Sequence, residues 1–333
     1  MLSGLLNWQS LILLGLTTYH LIASSQEKSK IPPIGKLIDV DGHKLHFYCA
    51  GEGKITMILD HSLGGIDGYF LVDELAKISR VLIYDRAGYG WSQFSHKPRH
   101  SEQIVKELHT LLEKTEIKPP YILVGDSFGS YNMRLYTHYF PEEVVGMVLT
   151  DGLHEEQMLS MPLSLQLLKL FFTFSFLIAS LGATLGIVRF LGIIGIFEII
   201  KPELLLFPKN TLKIVKRSFY SGKHWLTMFL EMWSLNNSGR QLQKIDNFGN
   251  MPIINIKAST FLKIGFQKFY FSITPADKLR NQIQSNLLML SNDCEQILAE
   301  NSSHFVWVDE PEIIIKAVRK VLEKVEHPKD ELM

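Results

Sequence analysis

Tyr121-Ile122-Leu123-Val124-Gly125-Asp126-Ser127-Phe128-Gly129 is the stretch whose reading decides the fold. Four apolar residues read as a buried strand. A Gly-x-Ser-x-Gly turn follows, and Ser130 to Phe140 continues as a helix until Pro141 stops it. A serine at such an apex sits in a strained backbone conformation. The residues on either side come close together, so glycine is needed at both ends of the turn. The hydroxyl then stands at the end of a sheet beside a helix N-terminus, where N–H groups and the helix dipole favour a developing anion.

Working outward, apolar strands alternate with amphipathic helices. Lys36 to Val40 and His43 to Ala50 read as two strands of a hairpin turning on Asp41-Gly42. Ile55 to Leu59, Val81 to Tyr84 and Val144 to Leu149 are further strands. A helix from Ser101, with Ser101 as its cap, carries the apolar stripe Ile104, Leu108, Leu111 and Leu112. The alternation stops at Asp151 and resumes at Pro252 to Ile256. The chain closes with a helix from Pro311 to Val325, capped by Asp309 and striped by Ile314, Val318, Val321 and Val325. This is the α/β class, with a mostly parallel sheet flanked by helices and its active site expected at the carboxyl ends of the strands.

The 333 residues carry 34 basic and 34 acidic side chains, so nothing in the charge calls for a nucleic acid partner. Two cysteines, Cys49 and Cys294, build neither a disulfide framework nor a metal site, and no cofactor is expected. Hydrophobic residues make up 46% of the chain, and the excess sits in two places. No acidic, lysine or arginine side chain precedes Glu27, and Leu11 to Ala23 is mostly apolar, which suits a single-pass N-terminal membrane anchor. Lys28, Lys30 and Lys36 after it favour a cytoplasmic catalytic domain. Between 157 and 200 only Lys169, Arg189 and Glu198 are charged. A span there would put two halves of one sheet on opposite sides of a bilayer, so it reads as a lid. The expected organisation is an anchor over 1–26 followed by a linker with Pro32-Pro33. A first core part covers 27–151, a hydrophobic helical lid 152–250 and a second core part 251–333.

A serine hydroxyl needs a base, a group to orient the base, and donors for an oxyanion. His304, in the polar loop Asn301-Ser302-Ser303-His304-Phe305 after the last strand, is the candidate base. One oxyanion donor is the Phe128 N–H; the other is the Leu63 N–H, in the loop Asp60-His61-Ser62-Leu63-Gly64-Gly65. The acid has two candidates. Lys257 to Phe261, after the Ile256 strand, hold no carboxylate. Asp277 lies about twenty residues further on. Asp151 directly ends the neighbouring Val144 strand and is placed ahead of it.

These features resemble the α/β-hydrolase fold superfamily over residues 36 to 325. The resemblance rests on the Ser127 elbow, the loop at His61, the run Tyr84-Asp85-Arg86-Ala87-Gly88-Tyr89-Gly90-Trp91-Ser92, and His304-Phe305 with Pro311 beyond. It implies Ser127 as nucleophile, His304 as base and an inserted lid. Serine rather than aspartate at the apex argues against an epoxide hydrolase or haloalkane dehalogenase. Two departures stand out: Ser62 occupies a position where many relatives have glycine, and the usual acid position is empty. The function implied is a lipase-like serine esterase acting on an ester, thioester or amide with an apolar, lipid-like part, in association with a membrane. The alternatives are a non-catalytic ligand-binding protein of the same fold, or a cofactor-free C–C hydrolase or perhydrolase.

Overall fold

Apolar runs become the middle of a sheet, as their composition dictates. The computed structural model describes residues 2–30, 33–245, 247–261, 263–264, 269–270 and 274–327. Its strands are β1 (Lys36–Val40), β2 (His43–Ala50), β3 (Thr56–Asp60), β4 (Arg80–Asp85), β5 (Tyr121–Asp126), β6 (Val144–Thr150), β7 (Ile253–Ala258), the two-residue β8 (Lys263–Ile264) and β9 (Phe269–Tyr270), and β10 (Cys294–Ala299). Eight of them form one sheet in the order β1-β2-β4-β3-β5-β6-β7-β10. The pairs β1–β2 and β2–β4 are antiparallel and the rest parallel. Every residue of β3 and β5 is buried, because helices cover both faces of the sheet. The hairpin turn is as expected: Asp41 and Gly42 both have positive φ, 53° and 93°, the twist that suits a two-residue connection.

The helices are α1 (Leu2–Lys30), α2 (Val72–Leu75), α3 (Ser101–Thr115), α4 (Phe128–Tyr139), α5 (Glu155–Leu159), α6 (Leu163–Thr184), α7 (Ile187–Ile193), α8 (Ile196–Ile200), α9 (Lys209–Phe219), α10 (Gly222–Leu242), α11 (Thr274–Leu287), α12 (Val306–Asp309) and α13 (Pro311–Glu326). One face of the sheet packs against α3 and α4 through Leu108, Leu111, Met133 and Leu135. The other packs against α13 through Ile314, Val318 and Val321. Each such fully buried aliphatic side chain contributes roughly 1.5–3 kcal/mol.

Both expected helix caps are displaced by one residue. The N-cap of α3 is His100, whose Nδ1 accepts from the Gln103 N–H at 3.4 Å. Ser101 is fully buried, and its own N–H donates to Ser238 Oγ on α10 at 3.0 Å. For α13 the N-cap is Glu310. Asp309 turns the other way, accepting from the Ser303 N–H and hydroxyl and pairing with Lys201. Asp309 is drawn off by tertiary partners, whereas Ser101 is already the first residue of its helix.

Helices α5 to α10 intervene between β6 and β7. Helix α10 packs along α6 and reaches α3 and α4 of the core. Among the described residues, α6 is the one helix long and apolar enough to cross a membrane, and most of it is exposed. The N-terminal helix does not stand clear of the domain. Thr17 Oγ1 donates to the Leu185 carbonyl at 3.1 Å, and the buried Arg189 of α7 reaches His20, Ser24 and Glu27 of α1. Of the linker prolines, Pro32 lies outside the described residues.

Candidate active site

Ser127 sits between β5 and α4 with φ 49° and ψ −109°, a strained backbone for a residue with a Cβ. The two glycines of the elbow are demanded by contact. A Cβ on Gly129 would lie 2.3 Å from the Asp60 carbonyl oxygen, and one on Gly125 would lie 2.8 Å from the Gly129 backbone. The turn is pinned by the Ser127 N–H donating to the Thr150 carbonyl at 2.9 Å and by Ser130 Oγ donating to the Ser127 carbonyl at 2.6 Å.

His304 Nε2 is 2.9 Å from Ser127 Oγ, and His304 Nδ1 is 2.6 Å from Asp151 Oδ2. The loop carrying His304 is held at several points. The Ser302 carbonyl accepts from Ser259 and Thr260, Ser303 is tied to Asp309, and the Phe261 ring stacks on the imidazole at 5.7 Å. Asp151 has a positive φ of 38°, a second strained residue in the same site. Its N–H donates to the Ile256 carbonyl at 2.7 Å, and its Oδ1 accepts from the Ala258 N–H and Gln284 Nε2, both at 3.3 Å. The carboxylate is therefore buried but solvated by protein donors, with its second oxygen aimed at the imidazole.

The structure thus brings together Ser127, His304 and Asp151, and Leu63 and Phe128 line the same cleft. The Phe128 N–H lies in the first turn of α4, where helix N–H groups have no intrahelical acceptor. Asp277 lies in the first turn of α11, and the carboxylate on His304 Nδ1 is that of Asp151.

Beneath the serine lies a buried ionic cluster. Arg86 at the end of β4 donates to Asp60 at 2.6 Å, to the carbonyls of His61 at 2.7 Å and Ser62 at 2.8 Å, and to both oxygens of Glu231 at 2.9 and 3.0 Å. Asn132 and Tyr89 complete the carboxylates. Arg86 therefore fixes the loop that carries Leu63 and ties it to α10. Arg86 belongs to the run Tyr84 to Ser92 that carried the resemblance; Glu231, 145 positions away from Arg86, gave no local sign of its part. Burial pushes the Asp126 carboxyl well above the usual carboxylate range, and Asp67 and Asp151 add to it.

Above the serine the cleft has a volume of about 220 Å³. Its walls are largely apolar, with Leu153, Met158, Met161, Leu165, Phe172 and Ile283 among them. Two cations also line it, Lys169 of α6 and Arg280 of α11. Lys169 stood out in the sequence as one of three charges in a long apolar stretch; Arg280 did not.

A family model described as the alpha/beta hydrolase fold matches residues 56–187. Among solved structures, the Cif epoxide hydrolase of Acinetobacter nosocomialis covers 92% of this chain and 96% of its own, with TM-score 0.67 at 16% identity. An esterase of Thermogutta terrifontis covers 87% and 99%, with TM-score 0.60 at 16% identity. The chain has the α/β-hydrolase fold. Two relatives come from Bacillus subtilis (strain 168). The uncharacterized protein YbdG is 28% identical over 137 residues, 40% of this chain and 42% of that one. The uncharacterized protein YqjL is 25% identical over 290 residues, 86% of this chain and 91% of that one. An uncharacterized vacuolar membrane protein of Saccharomyces cerevisiae (strain YJM789) is 30% identical over 137 residues, which cover 35% of this chain and 21% of that protein. The fold is one shared with hydrolases, and the exposed α6 together with this last relative is a weak pointer to a membrane.

Proposed function

We propose that this α/β-hydrolase-fold protein is a serine hydrolase that cleaves an ester, thioester or amide of an apolar substrate through an acyl-enzyme. One observation carries the reading: the unbroken hydrogen-bonded chain Ser127 Oγ–His304–Asp151 opens into an apolar cleft. Ser127 Oγ attacks the carbonyl carbon as its proton passes to His304 Nε2. Asp151 holds the imidazole by Nδ1 and stabilises the imidazolium. The oxyanion is held by the N–H groups of Phe128 and Leu63. The leaving group takes the proton from His304, and a water, deprotonated by the same imidazole, releases the acid. Asp277 takes no part.

Residues 152–250 serve as the lid over this chemistry. Helix α1, with residues 1–26 as its anchor, joins α6 to α8 in presenting apolar side chains to a membrane. Trp8 of α1 and Phe171 and Ile178 of α6 are all at least 68% exposed, which supports that role. Lys28 and Lys30 at the end of α1 favour a domain on the cytoplasmic side.

The test is covalent labelling by a fluorophosphonate, with and without Ser127→Ala. Labelling of the wild type that vanishes in the folded variant is the expected result. Undiminished labelling of the variant, or none of the folded wild type in detergent, contradicts the reading.

A further inference from the structure

Arg280 is 92% removed from solvent, being 8% exposed, and it lines the Ser127 cleft. Among the described residues its guanidinium makes one hydrogen bond, Nη2 donating to the Ser259 carbonyl at 2.9 Å. Its Nε and Nη1 are buried and have no hydrogen-bond partner among the described residues. Among the described residues no carboxylate forms an ion pair with it. Buried arginines elsewhere in the molecule are each matched by an acid: Arg86 by Asp60 and Glu231, Arg99 by Glu107, Arg134 by Glu155 and Arg189 by Glu27. Leaving a guanidinium buried without an anion is costly, and the unsatisfied donors on two of its nitrogens add to that cost. Asp151, the acid in the same cleft, is engaged by His304, Gln284 and the Ala258 N–H.

A second cation faces the same cleft from the lid side. Lys169 spends one donor on Asn236 Oδ1 at 2.7 Å, and among the described residues no carboxylate pairs with it either. The ammonium has three donors, so two remain for a ligand. An otherwise apolar cleft thus holds two cations without counter-charges, one from α11 and one from α6, beside an intact Ser-His-Asp chain.

We propose that Arg280 and Lys169 form an anion subsite of the Ser127 cleft. The ligand it fits is an amphiphile with an acidic group, a carboxylate or a phosphate monoester, that meets the two cations while its hydrocarbon part fills the apolar walls. This rests on the serine-hydrolase reading only in calling that ligand a substrate; binding itself does not need Ser127. The unpaired Nε and Nη1 of Arg280 lie on different edges of the planar guanidinium, and each offers a charge-assisted N–H bond to an oxygen of a carboxylate or phosphate. Anion binding restores the missing partner in a low-dielectric site, where a charge-assisted hydrogen bond is stronger than at the surface.

The test is calorimetric binding of octyl phosphate, octanoate, octanol and inorganic phosphate to the full chain in detergent. The proteins are wild type, Ser127→Ala, Arg280→Gln, Arg280→Lys and Lys169→Gln. Wild type and S127A are expected to bind at least one of the two anionic amphiphiles at least about tenfold more tightly than octanol. R280Q loses that margin, R280K restores part of it, and K169Q reduces it while leaving the Ser259 contact of Arg280 in place. Which anion wins distinguishes a carboxylate from a phosphate ligand. Equal affinity for the anions and octanol in wild type, or a margin that survives in both R280Q and K169Q, overturns the subsite. Inorganic phosphate binding as tightly as octyl phosphate overturns the amphiphile and leaves a small free anion as the ligand. Fluorophosphonate labelling of the same samples reports separately on the serine, so the hydrolase reading and the subsite fail by different signs.

Discussion

The two sides of Ser127 are built on opposite principles. Beneath it, Arg86 makes five hydrogen bonds to two carboxylates and two backbone carbonyls, and Asn132 and Tyr89 fill the remaining positions. Above it, the cleft is largely apolar, and two nitrogens of its buried Arg280 have no hydrogen-bond partner among the described residues. Both arginines are buried within one site, so burial alone does not explain the difference. A saturated cluster rigidifies: it fixes the loop of Leu63 and fastens α10 to the core. An unsaturated one leaves binding capacity over, in the part of the molecule where a substrate would lie.

The sharpest way to break that contrast is to remove each guanidinium in turn. Arg86→Met strands Asp60 and Glu231 without their cation, and a loss of about 3–5 kcal/mol is expected in urea unfolding. Arg280→Met removes a cation that has no acid to abandon, and stability is expected to change by less than about 1 kcal/mol. Similar losses from both would show that Arg280 is structural and erase the distinction.

On the upper side the contrast extends to the surface. Phe171→Glu with Ile178→Glu changes two side chains that are 68% and 70% exposed. Cosedimentation with phosphatidylcholine vesicles is expected to fall by at least about tenfold, from the burial of roughly two large side chains, with the unfolding midpoint unchanged. Undiminished cosedimentation would show that this face of α6 does not meet the membrane.

The smallest effect concerns Asp126, which lies beneath the serine yet has an unpartnered Oδ1. Burial, with Asp67 and Asp151 nearby, raises its pKa. A raised carboxyl pKa leaves stability intact below the unfolded value of about 3.9 and erodes it as pH rises through the folded value. Asp126→Asn is therefore expected to change little near pH 4 and to raise Tm by about 2 °C near pH 8. A lower Tm at pH 8 would mean that the ionised carboxylate has a partner and that the cluster beneath the serine extends to it.

What was legible in the sequence follows the range of the interactions. The elbow, the Asp41-Gly42 hairpin and the alternating strands are set by neighbours a few residues apart, and they stand where the pattern put them. Asp151 and His304 could be singled out because each ends or follows a strand, although they are 153 positions apart. Asp277 competed because chain order alone cannot tell which strand end faces the imidazole; in the fold the Asp151 backbone bonds to Ile256 and its carboxylate lies on His304 Nδ1. The cap at Asp309 went astray because Ser303 and Lys201 claim its carboxylate through space, and the cap at Ser101 because His100, one residue earlier, accepts from the Gln103 N–H instead. Glu231, Gln284 and Arg280 left no trace at all. Each lies on an ordinary helical stretch, and its meaning comes only from what the fold sets opposite it.

The most direct measurement compares Asp151→Asn with Asp277→Asn, reading the second-order rate of inactivation by a fluorophosphonate. If Asp151 orients His304, D151N lowers the rate by about a thousandfold or more while D277N stays within about twofold of wild type. A large loss in D277N with D151N still reactive would contradict the assignment and require His304 to turn to a different acid.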